Sequence, residues 1–365
     1  DECDVGPNAM QPLINFAICI HGGAGVISKS DSVSEQYTTA LRDIIRRCHF
    51  FAKDDASRTA VDIAEFAVNL LENDPLFNAG IGAVFTADET HELEASIMEG
   101  TNLGCGASAL LTNVKNPISL ARKVMETGKH VWIAGNPGEE IAEREDLLLV
   151  ESNEEFSVPR RLAQLERAKE KDGIFNDHDS AVAEEQKPGE EQKTSGDATT
   201  TTTATADSAS LTEGGDIGGD KKEVFDNLDD EINTETVGCV VMRNGHLCAA
   251  TSTGGMTNKC AGRIGDTPMI GCGTYANDKT CAVSATGKGE EFIRHIVAYD
   301  ISARMEYCGS TLMEAAKATV FHRLPAESGG IIAVDPMGNT AMVFNSRGMF
   351  RASCNSNSEF TIGIW

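Results

Sequence analysis

The sequence predicts an α+β fold in which helices cover packed β-sheets. In each half of the chain, strand-like segments come first, helical segments follow, and further strands come last. Strands and helices grouped in this way favour a layered α+β domain, with helices on the outer faces of the sheets. The two halves are separated by an acidic segment, 172–235, and nothing repeats at the period of a solenoid.

The first half opens with the apolar run 14–20, which predicts a buried strand ended by a tight turn at 21–25. Two helical patterns follow. In the second, apolar residues recur at helical spacing over 60–71, and Asp74-Pro75 ends the helix. The later elements of this half are two strands and several helices, predicted at 92–100, 105–112, 117–127 and onward to about 171.

The second half begins with a predicted hairpin, in which strands 237–242 and 247–252 are joined by an Asn244-Gly245 turn. Two strands, two helices and three final strands follow, predicted at 269–275, 280–285, 290–307, 311–322, 329–335, 340–345 and 359–364.

The acidic segment has a composition of its own. It holds 18 acidic residues and 4 lysines, a net charge of −14; the total is −25, so the remaining residues carry −11. Few of its residues are aromatic or branched apolar, so burial cannot offset the entropy of ordering it. We predict a disordered linker over 172–235.

Charge and hydropathy also limit the partners. Nucleic acids and anionic membranes both require a basic surface, and this chain is acidic. No run approaches the ~18 apolar residues of a membrane span, and no signal-peptide pattern precedes the first strand. We therefore expect no nucleic acid or membrane partner and a cytoplasmic location.

Thr236 opens the second half, directly behind the acidic segment. A threonine hydroxyl is a weak nucleophile that needs a base. A cut before this residue would create an α-amine with a pKa of about 7.7–8, which could serve as that base. A cut in a linker also costs little folding energy. Two interpretations stay open here: a self-activated nucleophile, or an ordinary strand residue that only packs.

Six segments of the chain carry a family resemblance. They are HGGAG (21–25), LENDPLFNAGIGAVFTADETHELEASIMEG (71–100), TVGCVV (236–241), AATSTGGMTNKCAGRIGDTPMIGCGTYAND (249–278), AVSATGKGEEFIR (282–294) and FNSRGMFRA (344–352). These segments resemble the plant-type asparaginases and isoaspartyl peptidases, which are N-terminal-nucleophile hydrolases. They occur in the order that the family shows, and the resemblance covers nearly everything except 1–12 and the acidic segment.

The resemblance implies a four-layer αββα sandwich with two stacked, mainly antiparallel sheets between helical layers. Residues 1–235 would be the α-subunit, with an ordered part at 10–171 followed by the linker. Residues 236–365 would be the β-subunit. Together they would form one domain, which pairs again into an (αβ)2 assembly.

By the same resemblance, Thr236 is the nucleophile and first attacks the carbonyl of Glu235, so that the precursor cleaves itself between these two residues. In turnover it would attack the side-chain amide of L-asparagine or the isopeptide carbonyl of a β-aspartyl dipeptide. Thr253 would tune its hydroxyl. The oxyanion hole, which stabilises transition-state charge, would be Thr286 with the N–H of Gly287. Asn78 would help to hold the attacking water or the oxyanion.

The substrate clamp implied by the resemblance is Arg263 with Asp266. An arginine fork binds a carboxylate through two parallel hydrogen bonds, and an aspartate neutralises an α-ammonium. The carbonyls of Gly287 and Gly289 would assist with the ammonium.

The resemblance implies a sodium ion and no organic cofactor. Main-chain carbonyls are oxygen ligands of the kind that hard cations favour. Some plant relatives also need potassium, bound by a loop that corresponds to about 124–131, which includes His130. The implied sodium ligands are the carbonyls of Leu71, Glu72, Asp74, Phe77, Ala79 and Ile81.

Two alternatives stay open. A threonine endopeptidase of the taspase kind shares the Thr-Val-Gly start and the fold but cleaves a protein loop. An uncleaved, non-enzymatic homologue would use Thr236 only for packing. The segments TSTGG (251–255) and RIGD (263–266) match the asparaginase version, since Asp266 suits a small substrate with a free amine. Glycosylasparaginases tend to have Asn where Gly254 stands.

Overall fold

The computed structural model of the protein describes residues 15–27, 31–171 and 236–365. The predicted linker at 172–235, with Glu235 of the predicted cleavage site, lies outside these residues. The described residues form two β-sheets flanked by helices, which confirms the α+β class.

Twelve strands are present in the described part of the chain, and along the sequence groups of strands alternate with groups of helices. They are β1 Phe16–Gly25, β2 Leu93–Glu99, β3 Cys105–Leu111, β4 Trp132–Ala134, β5 Val237–Arg243, β6 His246–Thr253, β7 Thr274–Ala276, β8 Ala282–Gly287, β9 Gly329–Val334, β10 Thr340–Phe344, β11 Gly348–Asn355 and β12 Phe360–Gly363.

The helices include two short irregular turns, a 3-10 turn at Asn153–Phe156 and a π-helical turn at Thr319–Arg323. The α-helices are α1 Asp31–Asp54, α2 Ala60–Glu72, α3 Pro117–Thr127, α4 Asn136–Arg144, α5 Pro159–Glu170, α6 Gly289–His295, α7 Val297–Cys308 and α8 Leu312–Ala318.

The larger sheet has eight strands in the order β12-β11-β1-β5-β6-β2-β3-β4, and the smaller has four in the order β10-β9-β8-β7. Strand pairs are antiparallel except β3 with β4. β5 lies in the middle of the larger sheet, between β1 and β6, and all of its residues are buried. Its hairpin turn uses Asn244 and Gly245, both at positive φ, as a two-residue type I′ turn requires.

Three of the four buried apolar clusters among the described residues join the two sheets to each other and to helices α1, α2, α7 and α8. One joins α1 and α2 to the larger sheet, with Ile45, Leu71 and Val241 among its members. A second lies between the two sheets and includes Val240 of β5 and Ile332 of β9. The third joins the smaller sheet to α7 and α8. The sheets therefore face each other across an apolar interior, with β1, β5 and β6 opposite β8 and β9.

The predicted turn at 21–25 is wrong, because β1 continues to Gly25 and pairs with β11 on both sides of Gly22 and Gly23. The pairing shifts between His21 and Ala24, as in a β-bulge. Gly23 has φ +112, a conformation that glycine adopts readily. The glycine-rich run is therefore an irregular stretch inside a strand, which sequence alone cannot distinguish from a turn.

Other departures are local. The predicted helix 290–307 is two helices, because Ile296 adopts φ +50 between α6 and α7. The predicted strand 269–275 is mostly turns, with only β7 at its end, and the helix predicted to 322 changes to the π-helical turn after Ala318. β11 and the short β4 were not predicted, since polar residues such as Arg351 interrupt the apolar pattern of β11.

Candidate active site

Thr236 lies immediately before β5 in the interior of the protein, and only 6% of its surface is exposed. The register pairs Val237 with Ser252, which places Thr236 beside Thr253 at the next position. The carbonyl oxygen of Thr236 accepts a hydrogen bond from Nδ1 of His21, 3.0 Å away. The two predicted threonines are thus neighbours on adjacent strands.

Asn78 holds the turn that follows Thr253. Its Nδ2 donates to the carbonyl of Gly255 at 2.7 Å, and its Oδ1 accepts from the N–H of Val84 at 2.9 Å. The N–H of Gly255 donates to Thr253 Oγ1 at 3.0 Å. A side chain at Gly254 would begin 2.7 Å from Asn78 Oδ1, so only glycine fits there. Asn78 therefore fixes the backbone next to Thr253.

Thr286 and Gly287 end β8, close to the bulge of β1. The N–H of Ala24 donates to Thr286 Oγ1 at 3.2 Å. Gly287 has φ +146, and a Cβ there would lie 2.1 Å from the carbonyl oxygen of Ser328. Both the conformation and the space require glycine. This places the N–H of Gly287 in a fixed, tightly packed backbone.

The two predicted clamp residues lie together. A Cβ at Gly289 would stand 2.8 Å from Arg263 Nη2 and 2.9 Å from Asp266 Oδ1. Arg263 forms two 3.1 Å hydrogen bonds with the carboxylate of Glu290. A Cβ at Gly255 would lie 3.3 Å from Arg263 Nη1, so the clamp adjoins the turn after Thr253. The predicted site residues that the structure describes thus form one continuous region.

Asp266 is a buried carboxyl without full pairing. Among the described residues, its Oδ2 has no hydrogen-bond partner, and neither has Thr267 Oγ1. Burial raises the pKa of Asp266 to about 8; the charge of Arg263 lowers it and that of Glu94 raises it. Burying a charge costs free energy unless it is paired, so an arriving cation such as an ammonium would complete this site.

Two buried charged residues lie beneath the clamp. Glu94 accepts hydrogen bonds from the N–H of Gly265, and Lys259 Nζ donates to the carbonyl of Glu92 at 2.8 Å. Burial raises the pKa of Glu94, and the charge of Lys259 opposes that rise. Sequence reasoning did not single out these residues. Their signal was a charged residue inside an apolar or glycine-rich segment.

Glu72 and His21 were also missed as side chains of the site. The Glu72 carboxylate accepts from Ser252 Oγ at 2.6 Å, next to Thr253, and from the N–H of Ile118 at 3.0 Å. Burial raises its pKa to about 7. His21 is fully buried, and burial lowers its pKa to about 3. His21 directly follows an apolar run, which was the available signal.

The predicted sodium loop folds back on itself. The N–H of Ile81 donates to the carbonyl of Glu72 at 2.8 Å, and that of Phe77 to the carbonyl of Asp74 at 3.2 Å. A Cβ at Gly82 would stand 2.6 Å from the Pro75 carbonyl oxygen and 2.9 Å from that of Phe77. The loop therefore gathers carbonyl oxygens, which fits a hard cation.

Among residues 15–27, 31–171 and 236–365, no group of three or more His, Cys, Asp or Glu side chains could hold a metal ion. No helix among them is both long and apolar enough to cross a membrane.

Known proteins resemble this chain along almost its whole length. A family model described as asparaginase matches residues 14–364. The isoaspartyl peptidase of Escherichia coli (strain K12) is 41% identical over 354 residues, covering 95% of each chain. The plant-type L-asparaginase of Pyrococcus furiosus is 33% identical over 337 residues, covering 91% of this chain and 94% of that protein. The chain therefore belongs to the asparaginase family of hydrolases.

Proposed function

We propose that the protein is a threonine hydrolase, activated by self-cleavage before Thr236, that acts on L-asparagine and on β-aspartyl dipeptides. The observation that carries the proposal is the meeting of Thr236 and Thr253 with a clamp in which Asp266 has an unpaired buried oxygen. The relatives named isoaspartyl peptidase and L-asparaginase support the same substrates.

Self-cleavage begins when the hydroxyl of Thr236 attacks the carbonyl carbon of Glu235. The peptide C–N bond breaks, an ester bond forms, and the α-amine of Thr236 takes up the proton. Water then hydrolyses the ester, which leaves a carboxylate on Glu235 and a free threonine at the start of the second chain. The freed amine is the base that the hydroxyl needs.

In turnover, that amine removes the proton from the Thr236 hydroxyl as the oxygen attacks the substrate's side-chain carbonyl. The negative charge that develops on the carbonyl oxygen is stabilised by the Thr286 hydroxyl and the N–H of Gly287. The leaving nitrogen takes the proton and departs as ammonia or as the amino group of the second residue. Water then attacks the aspartyl ester and restores the threonine.

The clamp selects a free amino-acid end. Arg263 already forms a forked pair with Glu290, whose side chain is 42% exposed. The partly buried guanidinium of Arg263 can bind a substrate carboxylate as well, since it has five hydrogen-bond donors. Asp266 receives the α-ammonium, whose charge stabilises the ionised form of a carboxyl that burial otherwise keeps neutral.

Three finer features belong to the same proposal. The contacts of the helices with the outer faces of the two sheets support a four-layer αββα sandwich. The carbonyls gathered in the loop 71–81 support a bound sodium ion, which would fix the loop that carries Asn78. Pairing of two αβ units into (αβ)2 and activation by potassium are proposed on the resemblance alone.

The test compares the wild-type protein with Thr236→Ala, Thr236→Ser and Thr280→Ala, in sodium and in potassium. Thr280 is a buried threonine bonded to Ser302 and serves as a matched control. We expect the wild type and Thr280→Ala to give two bands on a denaturing gel and to release ammonia from asparagine. Thr236→Ala should stay one chain and be inactive, and Thr236→Ser should retain part of both reactions.

The same experiment separates the alternatives. One full-length wild-type band after long incubation, with no ammonia released, would identify an uncleaved homologue and contradict the proposal. Two bands with cleavage of a protein substrate, but no activity on asparagine or β-aspartyl dipeptides, would indicate a taspase-like endopeptidase.

A further inference from the structure

A chain of hydrogen-bonded side chains crosses the buried space between the two sheets. It starts at His21, whose Nε2 lies 2.9 Å from Ser284 Oγ. Ser284 Oγ lies 2.7 Å from Thr251 Oγ1, and Thr274 Oγ1 donates to Thr251 at 2.5 Å. Ser96 completes the chain, 2.8 Å from Thr274. All five residues are fully buried, and we call them the hydroxyl chain.

The two ends of the hydroxyl chain reach the two parts of the proposed site. At one end, His21 Nδ1 contacts the carbonyl oxygen of Thr236 at 3.0 Å. At the other, Ser96 Oγ lies 2.6 Å from the carbonyl oxygen of Thr267, the residue after Asp266. A single connected path therefore runs from the backbone of the nucleophile to the backbone of the clamp.

The chemistry of the partners fixes where the protons lie. A carbonyl oxygen can only accept, so Nδ1 of His21 carries its proton and Nε2 accepts from Ser284. Because Ser284 donates to His21, it must accept from Thr251, which in turn accepts from Thr274. Burial lowers the pKa of His21 to about 3, which agrees with a neutral ring. This tautomer thus orients the hydroxyls of Ser284, Thr251 and Thr274, and the single proton of Ser96 is shared between Thr274 Oγ1 and the carbonyl oxygen of Thr267.

We propose that neutral His21 and the hydroxyl chain are positioning residues, which hold the backbone of Thr236 in register with the clamp loop at 266–267. This inference rests on the proposed function for its kinetic consequence, but not for the existence of the chain. None of the five residues touches the substrate in the proposed mechanism.

The surrounding packing is shaped around these polar contacts. A Cβ at Gly238 would lie 2.0 Å from Ser284 Oγ and 2.5 Å from His21 Nε2, so glycine is what lets β5 pass over them. Valine and alanine at the same five positions would avoid the cost of burying polar groups. Four hydroxyl groups and one imidazole in the fully buried interior are therefore expected to serve a purpose beyond packing.

The hydroxyl chain also joins the two proposed subunits. His21 and Ser96 precede the predicted cleavage site, while Thr251, Thr274 and Ser284 follow it. Networks of this kind strengthen cooperatively, so a break at one member weakens the whole path. Loss of Thr251 should disturb the Thr236 end, and loss of Ser96 should free the carbonyl of Thr267 and disturb the clamp.

The kinetic test uses Thr251→Val, which removes the hydroxyl and keeps the shape, and Thr251→Ser, which keeps the hydroxyl. Thr280→Val is the matched control, because it removes a buried hydroxyl bonded to Ser302 outside the chain. We expect Thr251→Val to lower kcat about tenfold on a β-aspartyl dipeptide with KM changed less than about twofold. Thr251→Ser should restore most of kcat, Thr280→Val should match wild type, and Ser96→Ala should raise KM more than it lowers kcat.

A double variant tests whether the residues act as one unit. Thr251→Val with Ser284→Ala should lose little more activity than either single variant, since each already breaks the path. Multiplicative losses, or a Thr251→Val effect no larger than that of Thr280→Val, would overturn the positioning role.

A spectroscopic arm tests the chain without any activity. Nitrogen-15 NMR of histidine-labelled protein at pH 7, with His21 assigned by its absence in His21→Asn, should show a protonated Nδ1 and a bare Nε2. A doubly protonated ring, or a proton on Nε2, would overturn the proposal even in an active enzyme. If the wild type is inactive but the tautomer is as expected and shifts in Thr251→Val, the proposed function fails and the hydrogen-bonded chain stands.

Discussion

The carboxyl group of Asp266 is buried beside Arg263, and one of its oxygens has no hydrogen-bond partner among the described residues. Burial raises its folded pKa to about 8, whereas an unfolded aspartate has a pKa of about 3.9. Between these values the folded state holds a proton that the unfolded state has released. Stability contributed by this group therefore falls as pH rises from about 4 to about 8.

We predict that Asp266→Asn stabilises the protein at pH 8 while abolishing hydrolysis. The amide has no charge to bury and no proton to bind, so the free-energy cost that Asp266 carries at high pH disappears. The gain in stability should shrink towards pH 5, where the folded carboxyl is already protonated. We expect an increase of about 2 °C in Tm at pH 8, corresponding to about 1 kcal/mol. Differential scanning fluorimetry of both proteins in the Thr236→Ala background, from pH 5 to pH 8, measures this.

Asp62→Asn is a control that should change the stability at pH 8 in the opposite direction. Asp62 forms a capping box with Thr59 and accepts from Arg122, and these contacts hold its folded pKa below the ordinary value despite partial burial. Its contribution is present above the unfolded pKa and is lost as pH falls. Asp62→Asn should therefore destabilise at pH 8. A loss of stability in Asp266→Asn at every pH would contradict the prediction.

Helix α5 holds the loop that carries Asn78, although it lies outside the proposed catalytic set. Arg161 is 1% exposed, and its Nε donates to the carbonyl of Gly82 at 2.7 Å. Its neighbour Arg160 donates to the carbonyl of Leu76 at 2.8 Å. Two successive arginines thus fasten the loop on both sides of Asn78, through hydrogen bonds that carry a charge.

We predict that Arg161→Ala destabilises the protein by about 2 kcal/mol, since it leaves a buried carbonyl without its charged donor. Because the loop positions Asn78, kcat should also fall. The matched control is Arg167→Ala, also on α5, whose Nε bonds only weakly to Ala163 of the same helix. Urea unfolding and steady-state kinetics measure both effects. Equal losses in the two variants would argue against a special role for Arg161.

At the level of elements, the sequence predicted the regular helices and strands but not the features that depend on contacts between distant residues. Helix α2 ends just before Asp74-Pro75, and helix α3 begins at Pro117, as predicted. Both boundaries are local, because proline restricts its own backbone. The strand pairing of β11 and the bulge in β1 depend on residues more than 300 positions apart, and no local pattern encodes that.

The site shows the same division. The resemblance identified Thr236, Thr253, Arg263 and Asp266, and the structure places them in one region. It included His21 in the segment HGGAG but gave that residue no role, since the contacts of His21 include Ser284 from the other sheet. A buried polar residue acquires its partners only when the sheets pack, so its function could not be predicted from sequence position alone.

For the whole molecule, the consequence of a cut before Thr236 follows from the strand order of the larger sheet. Such a cut gives fragments of 235 and 130 residues, since the chain has 365. The first fragment contributes β1, β2, β3 and β4, and the second contributes β5, β6, β11 and β12. β1 lies between β11 and β5, and β6 pairs with β2. Three strand pairs therefore join the two fragments.

We predict that the cleaved fragments remain together under native conditions and unfold as a dissociating pair. Separating them would expose three rows of unpaired backbone groups and split the apolar interior. They should co-elute on gel filtration, yet appear as two bands on a denaturing gel. Because unfolding then releases one more particle per unit than it does in Thr236→Ala, dilution should favour it more strongly.

Over a hundredfold dilution, the extra particle weakens the cleaved protein by about 2.7 kcal/mol relative to Thr236→Ala. Its Tm should accordingly fall by about 5 °C more than that of the uncleaved variant. The measurement is the slope of Tm against the logarithm of protein concentration for each protein. Comparing the two slopes removes any contribution from pairing of αβ units, which both proteins share. If both proteins lose the same Tm on dilution, unfolding of the cleaved protein does not separate its two fragments. That result would contradict the prediction that the fragments unfold as a dissociating pair.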